Sequence, residues 1–144
     1  MMKHFLGGLV LFLCAACASP DSYRINDQNL SLGELKRIIL SVMGEPRHLS
    51  ENQRTFTSRY FSRKADPKFD PEKSPERLYA KVVILGDRRP YDLDVQVYVE
   101  LKEGRSYIDQ GLDGPEAKKL GKDIRTRLHQ SRDDRNVIDD FRAF

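Results

Sequence analysis

The chain has 144 residues and a mass of 16.7 kDa, with 33% charged and 39% apolar residues, a net charge of +3 and a pI near 8.9. That is the size of one domain, long enough to bury a core. The balance excludes a polytopic membrane protein, and the basic excess falls well short of a dedicated nucleic-acid binder's.

Met1-Met2-Lys3-His4 is a short positive start, and Phe5 to Ala16 is an uncharged, mostly apolar run. A bilayer-spanning helix needs about 20 apolar residues, so this run is too short to span. Charge, apolar stretch and then small residues is the order of a secretory signal peptide. Gly7-Gly8 and the Cys-Ala-Ala-Cys ending are poor chemistry for a buried helix.

The end of that run, Leu13-Cys14-Ala15-Ala16-Cys17, resembles the lipobox of bacterial lipoproteins, with Cys14 where the family usually has leucine. The resemblance covers the leader alone. It implies a signal peptide over 1–16, cleavage before Cys17 and acylation of Cys17, so that the membrane becomes a partner through the acyl chains. Two or three chains, at about 0.8 kcal/mol per buried CH₂, anchor a protein stably. Ala18 rather than Asp after the acylated cysteine implies the outer membrane, facing the periplasm. The alternative is ordinary cleavage after Ala16-Cys17-Ala18, which reads A-x-A and would free the chain. Both cysteines lie in this leader, so no disulfide is expected in the mature chain.

Residues 17–29 read as the lipidated cysteine and a polar tether with Pro20, and 30–144 as a single α+β domain. The domain opens with a helix. Ser31 and Glu34 are spaced as a capping box, Leu30 and Leu35 as a hydrophobic staple. Leu32, Leu35, Ile38, Ile39, Val42 and Met43 form one apolar face, and Gly44 and Pro46 stop the helix. The Met43-Gly44-Glu45-Pro46 ending is similar to that of the small envelope-assembly lipoproteins of the outer-membrane β-barrel machinery. In those, a helix ends in such a turn before three strands.

Arg54 to Arg63 reads as the first strand, with Tyr60-Phe61 breaking its alternation. Lys64 to Arg77 is a loop with Pro67, Pro71 and Pro75 at four-residue spacing. Its central Phe69 either folds back as a plug or contacts a partner. Leu78–Leu85 and Tyr91–Lys102 are the second and third strands, joined by the hairpin Gly86-Asp87-Arg88-Arg89-Pro90. In the third, Leu93, Val95, Val97, Val99 and Leu101 alternate with Asp92, Asp94, Gln96, Tyr98, Glu100 and Lys102, placing one face on the core and one toward water. A fourth short strand at Ser106–Asp109 is an option.

The last helix starts at Asp113 or Gly114, with Pro115 in its first turn and Ala117, Leu120, Ile124 and Leu128 toward the core. Ser131 to Asn136 is charged enough to break it. Val137, Ile138, Phe141 and Phe144 form a second apolar cluster, in a tail that either continues the helix or docks separately, and is expected to pack on the sheet, with a partner contact as the alternative. The fold expected is therefore α+β, in the order α-β-β-β-α: a three-stranded, optionally four-stranded, antiparallel sheet with both helices on its apolar face.

Catalytic signatures are missing. Glu45, His48 and Glu51 lack the spacing of a zinc motif, and no metal or other cofactor is expected. No G-x-S-x-G or Gly-rich phosphate loop occurs. Asp92, Asp94 and Glu100 alternate on a strand face read as exposed, where carboxylates make poor general acids. Arg54, Arg59, Arg63 and Lys64 interleave with Phe56, Tyr60 and Phe61, a mixture that suits single-stranded nucleic acid, but export removes that partner. The expectation is a non-enzymatic envelope lipoprotein of accessory, scaffolding or assembly type that binds an envelope protein on the open sheet face. The alternative is a module for envelope glycan or anionic lipid, and behind it an envelope enzyme. Candidate binding residues are Arg88, Arg89, Lys118, Lys119, Lys122 and Phe69.

Overall fold

The computed structural model describes residues 21–141, and the side chains among these up to residue 134. In chain order the elements are β1 (Tyr23–Gln28), α1 (Leu32–Met43), β2 (His48–Leu49), β3 (Thr55–Thr57), β4 (Glu76–Leu85), β5 (Tyr91–Glu103), β6 (Ser106–Leu112) and α2 (Gly114–Phe141). The class is α+β, and the sheet has six antiparallel strands rather than three or four. The leader, Cys17 and Phe144 lie outside the described residues.

The sheet runs β1-β5-β4-β3-β2, with β6 also on β5. β5 is 13 residues long, so two strands share one of its edges. β1 pairs with Tyr91–Val95 and β6 with Tyr98–Glu103. β1 corrects the reading of residues 17–29 as a tether: Tyr23 and Ile25 alternate toward the core, and Ile25 is 5% exposed. Asp27 at φ 58° bulges the strand after that.

α1 forms as its sequence dictates. The Ser31 hydroxyl accepts from the Glu34 N–H, and the Glu34 carboxylate accepts from the Ser31 N–H at 2.8 Å. Leu30 and Leu35 are both buried beneath this cap. Gly44 ends the helix at φ 77°, a conformation that costs glycine least. Of the expected apolar face, Leu35 and Ile39 are fully buried, whereas Leu32 is exposed.

The first expected strand shrinks to β3. After Thr57 the chain stays along β4 through single contacts, Ser58 N–H to Ala80 and a bridge from Phe61 to Leu78. β4 and β5 pair over ten positions, from Glu76↔Leu101 to Leu85↔Asp92. Leu78, Ala80, Val82 and Ile84 thereby share a face with Leu93, Val95 and Val97, and all are buried. Phe56, Leu35, Ile39, Ala117, Ile124 and Leu128 complete that side, so both helices cover one face.

Asp113 caps α2: its carboxylate accepts the Glu116 N–H and its carbonyl the Ala117 N–H. The helix continues through Ser131–Asn136 to Phe141, so of the two alternatives for the tail the continued helix is the one that forms. Val137, Ile138 and Phe141 therefore belong to α2, and the packing of their side chains lies outside what is described. Gly121 is required by a close approach: a Cβ there would fall 2.0 Å from the Tyr23 ring. β1 thus rests on α2 through a ring seated over a glycine.

Candidate functional site

The face of the sheet away from the helices is built by the same period-two alternation. It carries Arg77, Tyr79 and Lys81 of β4 opposite Glu100, Tyr98 and Gln96 of β5. Tyr79 and Tyr98 are direct cross-strand neighbours, and their rings stack at 5.0 Å and 9°. Tyr60, from the irregular segment after β3, meets Tyr79 edge-on at 5.9 Å and 87°. The Arg47 guanidinium lies 4.1 Å from the Tyr60 ring centroid and donates to its hydroxyl at 2.6 Å. Aromatic pairs and cation–π contacts of this kind are directional and hold rings in place.

A second cation sits deeper. Arg77 lies between Tyr60 and Tyr107, 3.9 and 3.6 Å from their centroids, and donates to Glu100 at 2.6 Å. Burial works against its charge, but Glu100 and the surrounding groups outweigh that and raise its pKa above the ordinary value. Arg77 also donates to the Pro71 carbonyl, Lys102 to that of Glu72, and Tyr107 to that of Ser74. The proline-rich loop is therefore pinned to one end of this face. Phe69, within it, is half-buried.

The acids correct the expectation of a fully exposed row. Asp94 is 9% exposed, and one of its carboxylate oxygens has no hydrogen-bond partner among the described residues. The other ends a relay in which the Tyr98 hydroxyl donates to Gln96 and the Gln96 amide donates to Asp94. Asp92 is half-buried and accepts the Asp27 N–H, and Glu100 is held by Arg77. Burial, with Asp109 next, pushes both the Tyr79 and Tyr98 phenols up, so their hydroxyls stay protonated donors.

A groove of about 430 Å³ lies on the helix side, lined by Val42 and Met43 at the end of α1, Tyr60 and Phe61, and Leu120 of α2. Among the described residues, no group of three or more His, Cys, Asp or Glu is placed to hold a metal, and no helix is long and apolar enough to cross a membrane.

The six binding candidates are not brought together. Arg88 and Arg89 are exposed at the β4–β5 hairpin tip, where Arg89–Pro90 is cis. Lys118, Lys119 and Lys122 are exposed on the N-terminal half of α2, which packs against Val97. Val97 is six residues along β5 from Tyr91, so the two groups stand about 20 Å apart. Lys119 faces the groove and lies 3.9 Å from Glu116. The Arg-aromatic mixture at 54–64 also divides. Phe56 is core, Phe61 bridges Leu78, Arg59 pairs with Glu45, and Arg63 pairs with Glu76 and Asp113. Tyr60 of that group reaches the open face. The residues that sequence reading passed over are Arg47, Arg77, Tyr79 and Tyr107. For Tyr79 the signal was present, because it alternates with buried Leu78 and Ala80. No protein-family model matches the chain, and no curated protein matches it either.

Proposed function

We propose that the chain is the precursor of a bacterial envelope lipoprotein, anchored through acylated Cys17 and working as a non-enzymatic accessory or assembly factor that docks a protein on its open sheet face. The observation that carries the docking half is the ordered tyrosine–arginine surface of Arg47, Tyr60, Tyr79 and Tyr98. Tyr and Arg are the residue types that dominate protein interfaces, since they offer large rigid contact area with a polar end. Their mutual stacking holds them in one geometry before any partner arrives, which lowers the ordering cost of binding. The anchoring half rests on the leader, Leu13-Cys14-Ala15-Ala16-Cys17.

Two measurements test the halves separately. The intact mass of the membrane-derived protein is expected to show a lipid-sized increase on a chain starting at Cys17, lost in Cys17→Ser. A chain starting at Ser19 without lipid overturns anchoring. A photo-crosslinking residue in place of Lys81 is expected to give one discrete adduct in cells, which Tyr79→Ala with Tyr98→Ala abolishes while the fold is retained. Crosslinking that the double variant leaves unchanged overturns docking on this face.

A further inference from the structure

α2 divides its charges between two flanks. At about 100° per residue, Arg132, Arg125, Lys118, His129 and Lys122 follow one another within an arc of about 80°. Arg125, His129 and Arg132 line a cleft with β1, which fixes this arc as the β1 side of the helix. The other side is mixed: Glu116, Lys119 and Asp123 line the groove, and Asp123 and Arg127 a cleft shared with α1. Lys118, Lys122 and Arg125 are exposed and carry no ion pair among the described residues. Arg132 donates to Gln28 at 3.0 Å. Two acids border the arc: Asp27 in the cleft with β1, and Asp133 at the outer edge. Against these two acids stand the four cations Lys118, Lys122, Arg125 and Arg132, so the flank remains basic.

The start of β1 lies at the core-side edge of this flank. The Tyr23 ring covers Gly121, one residue before Lys122 and about 20° outside the arc. Only residues 18–22 separate Tyr23 from Cys17, and at about 3.5 Å per residue they reach about 20 Å. We infer that the basic flank of α2, Lys118, Lys122, Arg125 and Arg132, seats against the anionic phospholipid headgroups of the bilayer that holds the anchor. This inference rests on acylation of Cys17. The short reach leaves the flank nearest the tether closest to the headgroups, and a basic surface is attracted to an anionic one at about fivefold in partitioning per residue. The attraction acts within a Debye length, about 8 Å at physiological ionic strength. The flank looks sideways along the sheet, past β1, so seating it leaves the tyrosine–arginine face uncovered for a protein.

The test uses the processed protein, its mass first verified, reconstituted in vesicles of phosphatidylcholine alone or with phosphatidylglycerol. An amine-acylating reagent reads each lysine by mass spectrometry. Lys118 and Lys122 are expected to react at least fivefold more slowly in the anionic vesicles and to recover in high salt, while Lys36, Lys73 and Lys81 keep their rates. Equal rates for Lys118 and Lys122 in both vesicles overturn the inference, as does equal protection of Lys81, which would put the open face on the membrane. Lys122→Glu with Arg125→Glu should abolish the difference at Lys118. An unlipidated mass is a failure of the anchoring proposal itself, read before any vesicle is added.

Discussion

The two faces of the sheet are made by the same strands and obey different physics. One is closed by α1 and α2 over Phe56, Leu78, Val82, Leu93, Val95 and Val97, all fully buried. The other is held by stacked rings, two guanidinium groups and a carboxylate. Burial of apolar surface is non-directional and is not screened by salt as charge pairs are, so the first face supplies stability. The second is directional and partly charged. It contributes less stability but fixes a particular surface. A small domain thus separates holding itself together from presenting something, using alternate residues of one strand.

The separation is broken most severely from the core side. Phe56→Ala should cost about 3–5 kcal/mol, measured by urea denaturation. A loss below about 1 kcal/mol would mean that the core tolerates collapse at β3. Gly121→Ala forces the Tyr23 ring aside and should cost about 1–3 kcal/mol. Faster amide exchange should be confined to β1 and the facing part of β5. Arg77→Ala leaves Glu100 without its ion-pair partner and should cost about 1–2 kcal/mol. A double-mutant cycle with Glu100→Ala should recover a coupling of about 1 kcal/mol, and additivity would show that the pair is only a neighbour contact.

Asp113→Ala removes the cap of α2 and should cost about 1 kcal/mol at pH 7. Burial alone would raise the Asp113 pKa, but the Glu116 N–H and Arg63 outweigh it and hold the carboxyl below its usual value. The carboxylate's contribution is therefore complete above its unfolded pKa and disappears as pH falls through the lowered folded one. The difference in melting temperature between wild type and Asp113→Ala should accordingly narrow below about pH 4. The smallest effect is expected at the hairpin tip, where Arg88→Ala and Arg89→Ala should change stability by less than about 0.5 kcal/mol. A larger change there would mean that the exposed tip supports the sheet.

The sequence carried the central hairpin almost completely. Leu78, Ala80, Val82 and Ile84 must share a face with Leu93, Val95 and Val97, and that parity alone sets Tyr79 against Tyr98. α1 was equally legible, since its capping box, staple and stop signal agree. β1 was not, because it holds only two inward apolar residues among polar ones, and an edge strand's hydrogen bonds leave no mark in composition. β2, two residues long, has no period to read. The open face was half legible: alternation marks Tyr98 and Tyr79, but Arg47 and Tyr60 arrive from irregular segments whose position depends on tertiary contacts. α2 was read for its apolar line, and the unbroken basic arc beside that line becomes meaningful only once β1 is known to lie there.

Tyr23 over Gly121 also sets the mechanical path of the molecule. Any pull applied at the N-terminus enters the domain at that residue, part-way along β5 rather than at its end. The ring would have to leave its glycine notch before the ladder of β1 could begin to peel. Force is therefore met first by side-chain packing against a long helix and only afterwards by backbone hydrogen bonds, so α2 bears the early load. The pairing of β6 lies on a separate stretch of β5, so loss of β1 need not propagate into it. A pull at the N-terminus would fray one edge and leave the tyrosine–arginine face standing.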